Sequence, residues 1–129
     1  MIRVQSLSVR VPGFALQEAT FTVPRGGVAV VTGPTGAGKT TLLETIAGVR
    51  PAQRGSITLG DRDVSALPPE QRNVGLVYQA AWLFPHLGVG ENIAYGARRA
   101  AAVTEVIGAL AIDALCARPV ATLSGGERQ

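Results

Sequence analysis

Hydrophobic and polar positions alternate loosely at the start of the chain. Apolar Ile2, Val4 and Leu7 are separated by polar side chains, so residues 1–11 are predicted to form an antiparallel strand. After a Pro-Gly break, residues 14–23 are predicted to form its partner. The chain therefore opens with an antiparallel hairpin.

Two short apolar runs have the composition of buried parallel strands. Residues 27–31 read Gly-Val-Ala-Val-Val, and residues 74–78 read Val-Gly-Leu-Val-Tyr. Strands covered on both faces are apolar throughout, without alternation. Between these runs, residues 55–59 with a Gly-Asp turn predict a further hairpin, and residues 68–72 predict a short helical turn.

Helical spacing of apolar residues appears in three places. Residues 41–47 predict a helix that ends at Gly48, and residues 90–97 and 99–112 predict two more. In the first of these helices, four apolar side chains are expected on one face: Leu42, Leu43, Ile46 and Ala47. Strands and helices together predict an α/β fold.

Residues 33–40 read Gly-Pro-Thr-Gly-Ala-Gly-Lys-Thr, which is the phosphate-binding loop (P-loop) of P-loop NTPases. The loop lies between the predicted strand at 27–31 and the predicted helix at 41–47, as the mechanism requires. Its glycines let backbone N–H groups turn toward a phosphate, and the helix dipole adds to the attraction. Lys39 is expected to reach the β- and γ-phosphates and Thr40 to offer its hydroxyl to Mg²⁺. A glycine-rich turn without a ligand is the alternative.

The last seven residues read Leu-Ser-Gly-Gly-Glu-Arg-Gln. Ser124 and Glu127 have the spacing of a capping box, which predicts the first turn of a helix. Gly125 and Gly126 disfavour a helix, but they would let a phosphate approach the backbone closely. An ordinary glycine-rich cap is the alternative.

Composition narrows the class of protein. The 129 residues suffice for one small domain, and the formal net charge is +3. Basic residues are scattered, with no run longer than Arg98-Arg99, so no nucleic acid is expected as a partner. The single cysteine, Cys116, fits a reducing compartment. Because Arg3 and Arg10 interrupt any apolar leader, we expect a cytoplasmic location, with any membrane role depending on a partner.

Taken together, the P-loop, the Val-Tyr-Gln that ends at Gln79 and the heptapeptide at 123–129 resemble the nucleotide-binding subunit of ATP-binding-cassette (ABC) transporters. Their order and spacing match the family over the whole chain. The resemblance implies the N-terminal part of a single ABC ATPase domain. Residues 1–79 would be the nucleotide-binding core and β subdomain, and residues 80–129 the helical subdomain up to the signature motif.

The resemblance also implies which residues bind ATP and Mg²⁺. Gln79 would act at the catalytic site, touching Mg²⁺ and the attacking water, and Thr40 would share the metal. The signature residues would close on the γ-phosphate held by a second nucleotide-binding subunit in a head-to-tail dimer. The implied nucleotide-binding residues are Gly33, Pro34, Thr35, Gly36, Ala37, Gly38, Lys39, Thr40, Thr41, Ser124, Gly125 and Gly126.

Membrane-embedded permease subunits are the implied partners of the helical subdomain, at the inner face of the cell membrane. The apolar loop at 82–87 is either a permease contact or a local core cluster, and both interpretations stay open. Residues 67–75 and 83–86 resemble the corresponding segments of importer subunits for oxyanions, polyamines, iron or thiamine. Residues 12–16 are similar to molybdate importers.

The chain departs from the family in two respects. Val11 stands where the family places an aromatic ring on adenine; Phe14 is the nearest ring, and we assign it to the core. The family's catalytic carboxylates and switch histidine follow the signature motif, beyond Gln129, and His86 comes too early to be that histidine. In the family, the core strands that lie between the P-loop strand and the strand ending at Gln79 also follow the signature motif. We therefore expect the runs at 27–31 and 74–78 either not to be direct neighbours or to pair in a way that differs from the family.

These observations favour an ATPase subunit of an importer. The alternative is a nucleotide-binding or regulatory module that does not hydrolyse ATP. An ABC ATPase of DNA maintenance would carry a long insertion, whereas the interval from Lys39 to Ser124 is short. A small kinase would have no reason to carry the signature.

Overall fold

The computed structural model describes residues 1–80, 82–97 and 99–128. The chain forms two compact units, Met1–Leu76 and Val77–Gln129. The first contains the sheet and the helix after the P-loop, and the second contains short helices. None of the helices that the structure describes is long and apolar enough to cross a bilayer.

An antiparallel sheet forms the frame of the first unit. Its strands are β1 (Ile2–Val11), β2 (Phe14–Val23), β3 (Arg54–Leu59) and β4 (Arg62–Asp63), and their spatial order is β2-β1-β3-β4. Each neighbouring pair is antiparallel. Both predicted hairpins are therefore confirmed.

A bulge in β1 explains why the alternation in this strand is loose. Val4, Leu7 and Val9 are all buried, although strict alternation would turn one of them outward. Ser6 has a φ of 46°, and the register shifts between Val4 and Leu7, which returns Leu7 to the core face. A Cβ on Gly55, which has a φ of +90°, would lie 2.6 Å from the Ser6 carbonyl oxygen, so only glycine fits beside the bulge.

The helix after the P-loop, α1 (Lys39–Ala47), packs on this sheet through Leu42 and Ile46. Its left-handed cap at Gly48 confirms the predicted end of the helix. Leu43 was expected on the buried face, but this prediction is wrong, because Leu43 is exposed. The buried core of the unit consists of Val4, Leu7, Val9, Leu42, Ile46, Ile57 and Val64.

A buried arginine joins the C-terminal end of α1 to the segment that follows β4. Arg72 ends the short helix α2 (Pro69–Arg72) and is only 6% exposed. Its guanidinium donates to the carbonyl oxygens of Thr45 (2.9 Å) and Ile46 (3.1 Å) in α1. It also donates to those of Leu67 (2.8 Å) and Ser65 (3.1 Å). Burial lowers the pKa of Arg72 from its ordinary value, but an arginine remains charged there.

Neither apolar run predicted as a core strand forms one. In the described part of the chain, residues 27–31 and 74–78 lie outside the four-stranded sheet and do not pair with each other as strands. Val28, Val30 and Val77 are 92%, 81% and 84% exposed. A parallel strand is stabilised by hydrogen bonds to strands on either side. By the resemblance, the strands that would flank these runs follow the signature motif.

We expect this exposed apolar surface to make the chain self-associate. An unpaired valine-rich run offers backbone and side chains to another copy. Light scattering should show a rise in mass with concentration, and Val28→Lys with Val30→Lys should suppress it. Val49→Lys is the control, since Val49 is exposed but lies outside both runs. A wild-type chain that stays monomeric at high concentration contradicts this expectation.

The second unit consists of short helices. They are α3 (Val89–Ala94), α4 (Ala100–Leu110) and two 3-10 turns, Asp113–Leu115 and Val120–Thr122. The helices predicted at 90–97 and 99–112 are thus confirmed in type, with shorter bounds. Val89, Val120 and Leu123 form the buried cluster of this unit, against which Leu83, Ile93 and Leu115 pack.

The loop before α3 is held by one asparagine. The Asn92 side chain donates to the carbonyl oxygens of Phe84 (3.2 Å), Leu87 (3.3 Å) and Gly88 (3.0 Å), and it accepts from the Phe84 N–H at 2.8 Å. Phe84 also packs against Tyr95, with ring centroids 4.3 Å apart. The apolar loop therefore has a defined backbone.

Candidate nucleotide-binding site

The P-loop enters α1 through glycines in the left-handed region. Gly36 and Gly38 have φ values of +85° and +84°, which residues with a Cβ rarely adopt. Gly38 is the N-cap of α1, so no side chain caps the first amides of the helix. These N–H groups and the positive end of the helix dipole face the loop, an arrangement suited to an anion.

Lys39 folds back over the start of the loop. Its Nζ donates to the carbonyl oxygens of Gly33 (2.9 Å) and Pro34 (2.8 Å). An ammonium has three N–H donors, so these two bonds fix its position and leave a third for another acceptor. The positive charge is thereby held against the first two residues of the P-loop.

Phe14 lies against the P-loop, and its assignment to the core is wrong. A Cβ on Gly38 would collide with the Phe14 ring, so this ring covers the N-cap of α1. Phe14 is half-buried and is not part of the buried cluster of the described residues. The ring sits at the turn end of the β1–β2 hairpin, where Val11 pairs with Phe14. A position directly after a Pro-Gly turn was the one signal that this ring would project from the sheet.

The signature residues 124–128 form a turn, here called the signature turn. The Ser124 N–H donates to Oε2 of Glu127 at 2.7 Å, and the Glu127 N–H donates to Oγ of Ser124 at 3.4 Å. The predicted capping box is confirmed. Through Arg128 the described residues form turns without an assigned helix, and Gln129, the last signature residue, lies outside the described residues. Gly125 and Gly126 are exposed, with open space where a Cβ would point.

Hydrogen bonds lower the pKa of Glu127 in the signature turn. The Ser124 backbone N–H, followed by the Ser124 side chain, holds the pKa of Glu127 below its ordinary value, and Arg118 adds to the effect. Glu127 is therefore a carboxylate at neutral pH. Sequence reasoning found the Ser124–Glu127 pair but missed Arg118, which lies outside the motif.

The site residues are divided between the two units. The P-loop belongs to the first unit, whereas exposed Gln79 and the signature turn belong to the second. In the apolar loop, Trp82 is 80% exposed, while Leu83 packs against the buried cluster of its unit. The loop thus contributes to a local core and also presents an aromatic side chain to solvent.

The sequence model that describes ABC transporters matches residues 16–129. The chain belongs to the ABC transporter family. Over its whole length it is 43% identical to the molybdate/tungstate import ATP-binding protein WtpC of Pyrococcus horikoshii. It is 45% identical to the molybdenum import ATP-binding protein ModC of Rhodobacter capsulatus over 87% of its length.

The fold is that of an ABC cassette. A dimeric post-hydrolysis structure of the ATP-binding cassette MJ0796, bound to ADP and Pi, superposes with a TM-score of 0.81 over 99% of this ABC family chain. The sequence identity is 19%, so this likeness concerns the fold. The chain spans 40% of the WtpC relative, 33% of the ModC relative and 65% of the MJ0796 chain.

Proposed function

We propose that this chain is the ATP-binding part of an ABC importer that couples ATP binding and hydrolysis to solute transport. The observation that carries the proposal is the P-loop, which combines left-handed glycines, a Lys39 ammonium held by two carbonyl oxygens, and a helix whose first amides have no side-chain cap. In this proposal residues 33–41 bind the phosphates of ATP. Lys39 turns its third N–H toward the β- and γ-phosphates.

The two residues that we propose as Mg²⁺ ligands, Thr40 and Gln79, both carry a side-chain oxygen atom. Thr40 lies in the first turn of α1 and offers an exposed hydroxyl, and Gln79 offers an amide oxygen. Oxygen ligands of this kind suit a hard cation. When bound, Mg²⁺ would neutralise charge on the β- and γ-phosphates. Gln79 would in addition orient the attacking water.

A second subunit would complete the site. Ser124, Gly125 and Gly126 present an exposed, glycine-rich backbone without side-chain obstruction. We propose that this backbone contacts the γ-phosphate on the P-loop of a second subunit, head to tail. The second unit, with exposed Trp82, would contact permease subunits at the cytoplasmic face of the membrane.

Molybdate or a related oxyanion is the proposed solute. The names of the WtpC and ModC relatives support it, as does the likeness of residues 12–16 to molybdate importers. Transport in vesicles that hold the cognate permease and a longer, hydrolysing form of this chain tests the solute: unlabelled molybdate should compete with the uptake of labelled molybdate, and phosphate should not. Equal competition by both anions contradicts the assignment.

Nucleotide binding itself is testable by calorimetry. Lys39→Ala removes a charge-assisted contact, which should cost on the order of 1.5–3 kcal/mol, or roughly ten- to a hundredfold in affinity for Mg-ATP. Arg25→Ala serves as a control, since it removes an exposed positive charge from the turn before the P-loop run. Equal affinity in the Lys39→Ala chain means that the P-loop is not the binding site.

A further inference from the structure

Arg118 makes three side-chain contacts around the signature turn. Its Nη2 donates to the Thr122 carbonyl oxygen at 2.6 Å, and its Nε donates to Oγ1 of Thr122 at 3.3 Å. Its Nη1 donates to Oε1 of Glu127 at 3.1 Å and forms an ion pair with that carboxylate. One planar guanidinium therefore spans the residues on both sides of Leu123 and Ser124.

The backbone of Arg118 is itself fixed. Its N–H donates to the Leu115 carbonyl oxygen at 2.9 Å, and its own carbonyl oxygen accepts from the Val89 N–H at 3.1 Å at the start of α3. Val89 belongs to the buried cluster of the unit. The guanidinium thus extends from an ordered part of the fold toward an exposed turn.

Glu127 uses its two oxygens for different partners. Oε1 is held by Arg118, and Oε2 accepts from the Ser124 N–H. A carboxylate on an exposed turn can rotate away from a single N–H, whereas a second contact at its other oxygen restricts that rotation. The contact between Arg118 and Glu127 therefore bears on the backbone conformation at Ser124.

We propose that Arg118 is a positioning residue of the signature turn, which keeps Glu127 on the Ser124 N–H and so fixes the backbone from Ser124 to Gly126. This inference rests on the proposed function in one respect: the role of the turn, which is to contact a phosphate. Thr122 gives Arg118 a fixed point close to the turn. Of the other charged residues near the turn, Arg128 donates its Nε to the Leu123 carbonyl oxygen at 3.2 Å.

Amide hydrogen exchange measured by NMR tests the positioning role. In the Arg118→Met chain, exchange at Ser124 should rise about two- to fivefold, the range expected for loss of an exposed ion pair. Exchange at Val89 and Gly90, whose N–H groups bond to backbone carbonyls of residues 116–118, should change little. A purely structural role for Arg118 predicts faster exchange at all these amides together.

Arg50→Met is a matched control. Arg50 also forms an ion pair, with Glu44, and its side chain is 38% exposed, as is that of Arg118. This change should leave exchange at Ser124 unaltered. In a Glu127→Ala chain, which has lost the carboxylate, adding Arg118→Met should raise exchange at Ser124 by less than about twofold. A full additional effect in that chain shows that Arg118 does not act through Glu127.

The titration of Glu127 gives a second measurement. Because its pKa is lowered in the folded chain, the contact with Ser124 is intact at neutral pH and is lost as pH falls through the lowered value. Arg118→Met should move this loss to higher pH, and Arg118→Lys should recover part of the shift. The proposal is overturned if Arg118→Met alters neither the exchange at Ser124 nor the titration of Glu127. Neither measurement uses nucleotide, so failure to bind ATP would count against the proposed function alone.

Discussion

The purified 129-residue chain is expected to bind Mg-ATP without measurable turnover. Hydrolysis needs a group that orients the attacking water, in addition to the charge stabilisation that a P-loop supplies. Removing such a group typically lowers a rate by about 10²–10⁴-fold. The prediction therefore depends on where the acidic residues of the chain lie.

The nine acidic residues of the chain are all within its described parts, and four of them already have structural partners. Glu44 pairs with Arg50, and Asp63 accepts from Ser65. Glu91 and Glu127 accept backbone N–H groups in their own turns. The other five lie in β2, in the β3–β4 turn, in α2, in α4 and in a 3-10 turn: Glu18, Asp61, Glu70, Glu105 and Asp113. None of the nine follows a core strand beside the P-loop.

Phosphate release by the purified chain measures this directly. Wild type should release no more phosphate than the Lys39→Ala chain, which corrects for contaminating ATPases. Turnover that disappears in Lys39→Ala would show that one of these carboxylates, or Gln79, suffices to orient water. Binding without turnover would also be the behaviour of a nucleotide-binding or regulatory module. A longer chain that adds an Asp-Glu strand after the signature should restore hydrolysis if the importer assignment is correct.

Replacing Arg72 should destabilise the first unit more than replacing any other single charged residue in that unit. Arg72→Met leaves four carbonyl oxygens without their charged donor, two of them at the end of α1, where a cation also favours the helix dipole. A buried acceptor left without a partner costs about 1–3 kcal/mol. With partial access of water, we expect a loss of about 2–4 kcal/mol in the free energy of unfolding.

Urea unfolding followed by circular dichroism measures the loss. Arg62→Met is the control, because exposed Arg62 donates to one carbonyl, that of Gln71, at 3.2 Å. That change should stay within about 0.5 kcal/mol of wild type. Arg72→Lys should recover only part of the stability, since one ammonium cannot reach four carbonyls in the plane of a guanidinium. An Arg72→Met chain as stable as the control would mean that water replaces the guanidinium without cost.

Local patterns predicted the elements whose stability is local. The hairpins, α1 with its Gly48 cap and the Ser124–Glu127 capping box follow from nearby residues and are all present. The runs at 27–31 and 74–78 were wrong as strands because a parallel strand depends on neighbours that the local sequence does not supply. An apolar composition indicates that a segment can form a buried strand. Whether it does so depends on neighbouring strands from other parts of the protein.

Residues that act across the fold were the ones that sequence reasoning missed. Arg72 looks like an exposed charge at the end of a helical turn, yet its partners in α1 lie 26 and 27 positions earlier in the chain. Phe14 reaches Gly38 across the end of a hairpin. Neither contact has a periodic signal, because each joins elements that the local pattern treats separately. The P-loop and signature residues could be named from the sequence because each motif is a short, continuous stretch, and their roles in binding stay predictions.

Nucleotide binding at the P-loop is the central claim, and the backbone amides at the beginning of α1 test it most directly. In an NMR titration with Mg-ATP, the amide resonances of Gly36, Gly38 and Lys39 should shift with one common dissociation constant. The same titration of the Lys39→Ala chain should need roughly ten- to a hundredfold more nucleotide. AMP, which lacks the β- and γ-phosphates, should produce little shift. Resonances at these three amides that do not respond to Mg-ATP would contradict the account.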